Sequence, residues 1–172
     1  KVNKYNQTNI LNIYAIGDVS GPPWLAHVAS AQGVVSVEHA FEDNAETIDY
    51  NNIPGCTYTQ PQVGSIGLTE RIALSKGFKI KVGKYSFRSN GKAMAVGHND
   101  GFIKLIFDEK YGELLGAHII CSEATELIGQ LSIAKVLEST WEDLAFGVFA
   151  HPTFSEAIME AALDAYDIGI HQ

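Results

Sequence analysis

The residue types best suited to chemistry in this chain sit in one short stretch, His151-Pro-Thr-Phe-Ser-Glu156. A histidine precedes a proline, and a glutamate follows five residues later. Proline disfavours helical backbone in the residue before it, so His151 is expected in an extended conformation. Pro152 and Thr153 read as the entry to a helix running through Ile158, Ala161, Ala162, Ala165 and Ile168, apolar positions that recur at three and four. An imidazole held just outside a helix, with a carboxylate on the first turn, has the makings of an oriented general base. The same spacing fits a capping box, in which Thr153 caps the helix and Glu156 reaches back to the cap's N–H. Capping boxes are common and paired bases are not, and in that reading His151 is an incidental loop residue.

Asp18 is the next candidate. Leu11 to Val19 is a compact apolar run that reads as a short buried strand ending in Gly17-Asp18. Ligands of open α/β sheets bind at that end of the strands, where an aspartate can accept a hydrogen bond from a ligand hydroxyl. Asp18 could equally cap the following turn. Gly21-Pro-Pro23 breaks the chain, and Trp24 to Phe41 reads as a largely buried helix. Its first turn, Trp24-Leu25-Ala26-His27, could point backbone N–H groups at an electron-rich ligand atom. His27 and His39 lie twelve apart, share no metal spacing, and read as packing or surface residues. Cys56 and Cys121 are too far apart for a redox pair or a zinc site and read as buried free thiols. No metal site is expected.

The elements that must position these groups fall on two sides of a composition change. Glu42 to Asn52 is acidic and polar and reads as a boundary, giving domains over 1–50 and 51–172. Beyond it, Thr57–Thr59 and Val63–Leu68 read as strands, and Thr69 caps a short helix that Gly77 stops. Lys79 to Phe87 alternates as a strand with a slip at Gly83, where a bulge is expected. Arg88 to Gly101 reads as a long loop around the apolar island 93–96. Phe102–Phe107 and Leu114–Cys121 read as a hairpin buried on both faces. Glu123 to Glu138 reads as a helix with Leu127, Leu131, Ala134 and Leu137 on one stripe, and Thr140 starts a short turn. Val148-Phe149-Ala150 then delivers the chain, apolar and buried, to His151. The fold class is α+β, with four or five mostly antiparallel strands and helices packed on them.

Composition narrows the function. The chain has 172 residues, 46% of them hydrophobic, and a formal charge of -8. Its Lys and Arg residues do not cluster, which argues against nucleic acid and anionic membrane surfaces. No apolar run approaches the ~20 residues that span a bilayer, and no secretory leader opens the chain.

Several stretches, in order, resemble the FAD-dependent pyridine nucleotide-disulfide reductases. Residues 13–19 (IYAIGDV) with 25–27 (LAH) resemble that family's second flavin-contacting segment, and HPTFSE resembles its closing His-Pro-Thr signature. Residues 53–70 (IPGCTYTQPQVGSIGLTE), 81–87 (KVGKYSF) and 114–121 (LLGAHIIC) resemble its C-terminal interface domain. The Ser-Glu ending is similar to the lipoamide-acting branch rather than the glutathione-acting one. The resemblance implies a C-terminal dimerisation domain preceded by a remnant of the FAD-binding domain. It implies that His151 is the acid–base for a dithiol, that Glu156 fixes its tautomer, that Asp18 binds the flavin ribityl chain, and that the backbone of Trp24, Leu25, Ala26 and His27 approaches the flavin ring. The family usually has Met where Trp24 stands and often a basic residue where Val28 stands.

The implied activity of the whole enzyme is oxidation of dihydrolipoamide to lipoamide with FAD and NAD⁺. The implied enzyme is a homodimer serving acyltransferase or carrier subunits of 2-oxo acid dehydrogenase or glycine cleavage complexes, in the cytoplasm or mitochondrial matrix. These 172 residues contain no GxGxxG turn and no close Cys pair. Alone they are expected to hold no flavin and to show no turnover. Two alternatives stand beside this reading: a glutathione-type reductase, and a dimerisation module without chemistry of its own.

Overall fold

The computed structural model describes residues 1–42 and 44–171. Asp43, within the segment read as the boundary, and Gln172 lie outside the described residues. The chain divides into two compact units, Lys1–Tyr50 and Asn51–Gln172.

The first unit is one helix and a polar coil. Helix α1 spans Ala26–Phe41, beginning two residues later than the sequence suggests, and only Val28, Gln32, Val35 and Ser36 on it are buried. Val34, Val37 and Phe41 are exposed, so the expectation of a largely buried helix is corrected. Gln32 organises the unit: its Oε1 accepts from the Gly17 N–H at 2.7 Å and its Nε2 donates to the Tyr50 hydroxyl at 3.0 Å. The expected strand over Leu11–Val19 does not form. The run instead makes one isolated bridge, Gln7 to Tyr14, and a single 3-10 turn over Gly17–Ser20. An apolar run becomes a strand only when neighbours accept and donate along its length. Here the Ile13 and Ala15 amides bond instead to the carbonyls of Ile10 and Asn6.

The second unit is a five-stranded, fully antiparallel sheet in the order β1-β2-β5-β4-β3. The strands are β1 Gly55–Thr57, β2 Gln62–Gly67, β3 Ile80–Ser86, β4 Phe102–Asp108 and β5 Leu114–Cys121. Side chains alternate across the sheet. Ile103, Leu105 and Phe107 of β4 and Ala117 and Ile119 of β5 point to one face. There they meet α4 (Ala124–Val136) and α6 (Glu156–Asp164). Ile106 and Leu115 point to the other face, where Ala73 of α2 (Glu70–Ser75) joins them. The hairpin is therefore buried on both faces.

Four local expectations are corrected. Gly83 pairs in register with Leu105, and the sheet's irregularity falls between Ile106 and Phe107. Residues 91–96 are a helix, α3 (Gly91–Val96), because Asn90 caps them, its Oδ1 accepting from the Ala93 N–H at 2.9 Å. Helix α4 ends at Val136, which leaves Leu137 exposed rather than on the buried stripe. After α5 (Trp141–Ala145), Val148 is fully exposed and Phe149 half-buried, so among the described residues the approach to His151 is only partly covered.

Candidate active site

Helix α6 is set directly on β3. A Cβ on Gly83 would fall 1.8 Å from the Ala161 carbonyl oxygen, so only glycine lets the helix backbone approach so closely. Ala157, Ala161 and Ala162 supply the smooth helix face for that contact and are fully buried. Asp164 then pins the helix's far end, its Oδ2 accepting from the Lys84 N–H at 2.7 Å. The first turn of α6 is thereby fixed relative to the sheet, and Glu156 with it.

The helix begins at Glu156 with Ser155 as N-cap, two residues beyond the cap the sequence suggests. Thr153 does not cap it. Its hydroxyl donates back to the Ala150 carbonyl at 2.7 Å, and its own carbonyl accepts from Asn90 Nδ2 at 3.0 Å. That carbonyl is the acceptor an earlier helix start would have needed. The helix also stops early, since Asp167 takes a left-handed φ of 60° and the Ile168 N–H returns to the Leu163 carbonyl. Ala165 and Ile168 are thus beyond its last turn.

Glu156 divides its two oxygens. Oε2 accepts from the Thr153 N–H at 2.7 Å, which is one half of a capping box. Oε1 accepts from His151 Nδ1 at 2.8 Å. Burial pushes the Glu156 carboxyl up, but the Thr153 amide and then the His151 contact and charge hold it below the ordinary glutamate range. An ionised carboxylate only accepts, so the bond places a proton on His151 Nδ1, and in the neutral ring Nε2 then carries the lone pair. The His151 side chain is 76% exposed while Glu156 is 20% exposed, a solvent-facing ring on a semi-buried anchor. The His151–Pro152 peptide is cis.

The pair lines a cleft of about 230 Å³ with Tyr85, Asn90, Glu160 and His171. None of these four was singled out from the sequence. Asn90 had a signal, Ser-Asn-Gly ahead of a run of helix formers, which is an N-cap pattern. Glu160 had one too, a carboxylate four residues after Glu156 in an otherwise apolar stripe.

The other candidates lie in the first unit. Asp18 is exposed on the 3-10 turn, Trp24 is exposed, and Leu25 is the N-cap of α1, with no side-chain acceptor for its first turn. Ala26 and His27 open the helix and are exposed. His39 stacks on Tyr5 at 4.1 Å and meets the Tyr14 hydroxyl at 2.8 Å, a packing role. Cys121 is buried, whereas Cys56 is only half-buried. Among the described residues no group of three or more His, Cys, Asp or Glu could hold a metal ion, and no helix is long and apolar enough to cross a membrane.

Residues 53–162 match the family model described as pyridine nucleotide-disulphide oxidoreductase, dimerisation domain. The chain belongs to this family. Among curated relatives it is similar to the dihydrolipoyl dehydrogenase of Rhizobium etli, 53% identical over 94% of this chain and 34% of that protein. It is also similar to the dihydrolipoyl dehydrogenase of Bacillus subtilis, 43% identical over 99% of this chain and 36% of that protein. Among solved structures it superposes on LpdA of Mycobacterium tuberculosis with a TM-score of 0.88 and 26% identity, over 94% of this chain and 35% of that one. The flavoprotein disulfide reductase RclA of Escherichia coli shares the fold, with a TM-score of 0.89 at 24% identity over 94% of this chain and 38% of that one. The chain thus spans about a third of the length of the curated relatives it matches.

Proposed function

We propose that this chain is the C-terminal part of a dihydrolipoyl dehydrogenase, in which His151 is the acid–base for the dithiol and Glu156 its orienting partner. The observation that carries this reading is the 2.8 Å bond from His151 Nδ1 to Glu156 Oε1 at the open rim of a cleft. A thiol of pKa about 8.5 is a poor nucleophile until deprotonated, and an imidazole titrating near 6.5 is well matched to take its proton. His151 Nε2 accepts the proton of a dihydrolipoamide thiol, and the S–H bond gives way to an N–H bond. The thiolate is left to attack a disulfide held elsewhere in the full-length enzyme. Glu156 stabilises the imidazolium that results, and the step runs backwards when the proton is returned.

Residues 1–50 are read as a remnant of the FAD-binding domain. The exposed Asp18 carboxylate suits a ribityl hydroxyl, and the first turn of α1, uncapped by any side chain, suits an electron-rich ring edge. A bound flavin would supply the two-electron link between the disulfide and NAD⁺. Residues 51–172 are read as the contact between two copies, so that His151 serves a substrate bound by the other subunit. Support comes from the exposed Phe146 and Val148 leading up to His151, and from Ile133, Val136 and Leu137, apolar side chains left uncovered. An obligate contact of this kind buries more than about 2,000 Å². The physiological substrate would be a lipoyl group on an acyltransferase or carrier subunit of a 2-oxo acid dehydrogenase or glycine cleavage complex. The enzyme would work in the compartment that houses the complex, the cytoplasm or the mitochondrial matrix.

In the full-length enzyme, His151→Gln is expected to lower the rate of dihydrolipoamide oxidation by about 10²-fold or more. A near-normal rate would remove the base assignment. Light scattering is expected to give a dimer, and a monomer at micromolar concentration would remove the assignment of the apolar rim.

A further inference from the structure

The cleft that holds His151 and Glu156 holds a second pair of the same chemistry. Helix α6 presents Glu160 one turn after Glu156, and Glu160 is only 2% exposed. Its Oε1 accepts from His171 Nδ1 at 2.6 Å. Its Oε2 accepts from the backbone N–H groups of Ile170 at 3.2 Å and His171 at 3.1 Å. Three donors converge on one buried carboxylate, the arrangement a buried anion needs. The His171 ring itself is 69% exposed and lines the same cleft as His151.

The other walls add little charge. From β3 comes Tyr85, whose phenol is pushed up to about 12 by burial and by the Glu160 and Glu156 carboxylates, so it stays neutral. From residues 89–94 come Ser89, Asn90 and Met94, all neutral. Among the described residues lining the cleft, the groups that can carry charge around His151 are therefore Glu156, Glu160 and His171, with Tyr85 silent below pH 10.

We propose that Glu160 and His171 are positioning residues for the His151–Glu156 pair. Glu160 fastens residues 170–171 along the cleft, and the two charges set the pH at which His151 exchanges its proton. They touch no reacting atom; they act through the electrostatics of the first pair. This rests on the reading of His151 as the base. The two residues pull in opposite directions. His171→Gln takes away a group that can be cationic, which makes His151 harder to deprotonate. Glu160→Gln takes away an anion, which makes His151 easier to deprotonate.

The test is the pH dependence of kcat/KM for dihydrolipoamide oxidation by the full-length enzyme. The acid limb is expected to move up by about half a pH unit in His171→Gln and down by a similar amount in Glu160→Gln. A purely structural role lowers the rate without moving the limbs apart, and limbs that stay put or move together overturn the proposal. His171→Gln replaces an exposed ring, so its limb alone decides the matter should Glu160→Gln fail to fold: no upward shift overturns the proposal. His151→Gln is measured alongside. If it is near normal, the base reading falls; if it is crippled while the limbs stay unmoved, only this inference falls.

Discussion

The two histidine–carboxylate pairs use the same atoms at nearly the same distance, 2.8 Å for His151–Glu156 and 2.6 Å for His171–Glu160. They differ in what holds the carboxylate. Glu156 spends its second oxygen on the turn that carries its own histidine, and its side chain keeps 20% exposure. Glu160 also gives its second oxygen to the backbone that carries its own histidine, but that backbone lies 10 and 11 residues on in the chain, and the carboxylate is sealed in. The first pair is thus a local unit, set within six residues of sequence. The second is a fastening between a helix and residues 170–171. The contrast teaches that the same hydrogen bond sets a ring on its own turn or ties in a distant segment according to how far along the chain the second oxygen reaches.

The largest expected effect erases the contrast. Gly83→Ala drives a Cβ into the Ala161 carbonyl and lifts α6, which carries both carboxylates. Overpacking at a backbone contact costs about 3 kcal/mol, so thermal unfolding should show a marked fall in Tm. Both pairs should loosen together, read as shifted imidazole resonances for His151 and His171. An unchanged Tm would mean that the helix does not rest on Gly83.

A smaller change should separate the pairs. Asn90 is 2% exposed and ties α3 to the Thr153 carbonyl, beside the first pair. Asn90→Ala leaves the Ala93 N–H and the Thr153 carbonyl without their partner, at a cost of about 2 kcal/mol. The His151 resonances should shift and those of His171 should not. Equal shifts in both would show that the pairs are not independently supported.

The smallest effect is in pH. The Glu156 carboxyl is held below its ordinary value of 4.5. Its contribution to stability is therefore fully present above pH 4.5 and is lost as pH falls through the lower folded value. Urea midpoints of the wild type and Glu156→Gln should differ at about pH 5 and converge in more acid solution. A gap that widens below pH 4 would contradict the sign.

Legibility followed the range of the forces involved. The β4–β5 hairpin, the Thr69 cap and the Glu156 side chain reaching back to Thr153 depend on neighbours in sequence, and pattern alone found them. Thr69 Oγ1 does accept from the Ile72 N–H. The start of α6 is not legible in its own sequence because the Thr153 carbonyl is taken by Asn90, 63 residues away. Residues 91–96 read as a loop because Gly and Ser surround Asn90, and only the side-chain cap makes them a helix. The 11–19 run reads as a strand because an apolar stretch ending in Gly-Asp looks like one, and nothing in the run itself says which segment will pair with it. Val148 reads as buried for the same kind of reason: apolar residues announce that something will cover them without saying what.

The most direct test of the central claim is a double-mutant cycle on dihydrolipoamide oxidation by the full-length enzyme. If Glu156 works through His151, Glu156→Gln alone should cost about tenfold in kcat, and nothing further once His151 is already Gln. Costs that multiply, with Glu156→Gln still lowering the rate about tenfold in the His151→Gln background, would contradict the account.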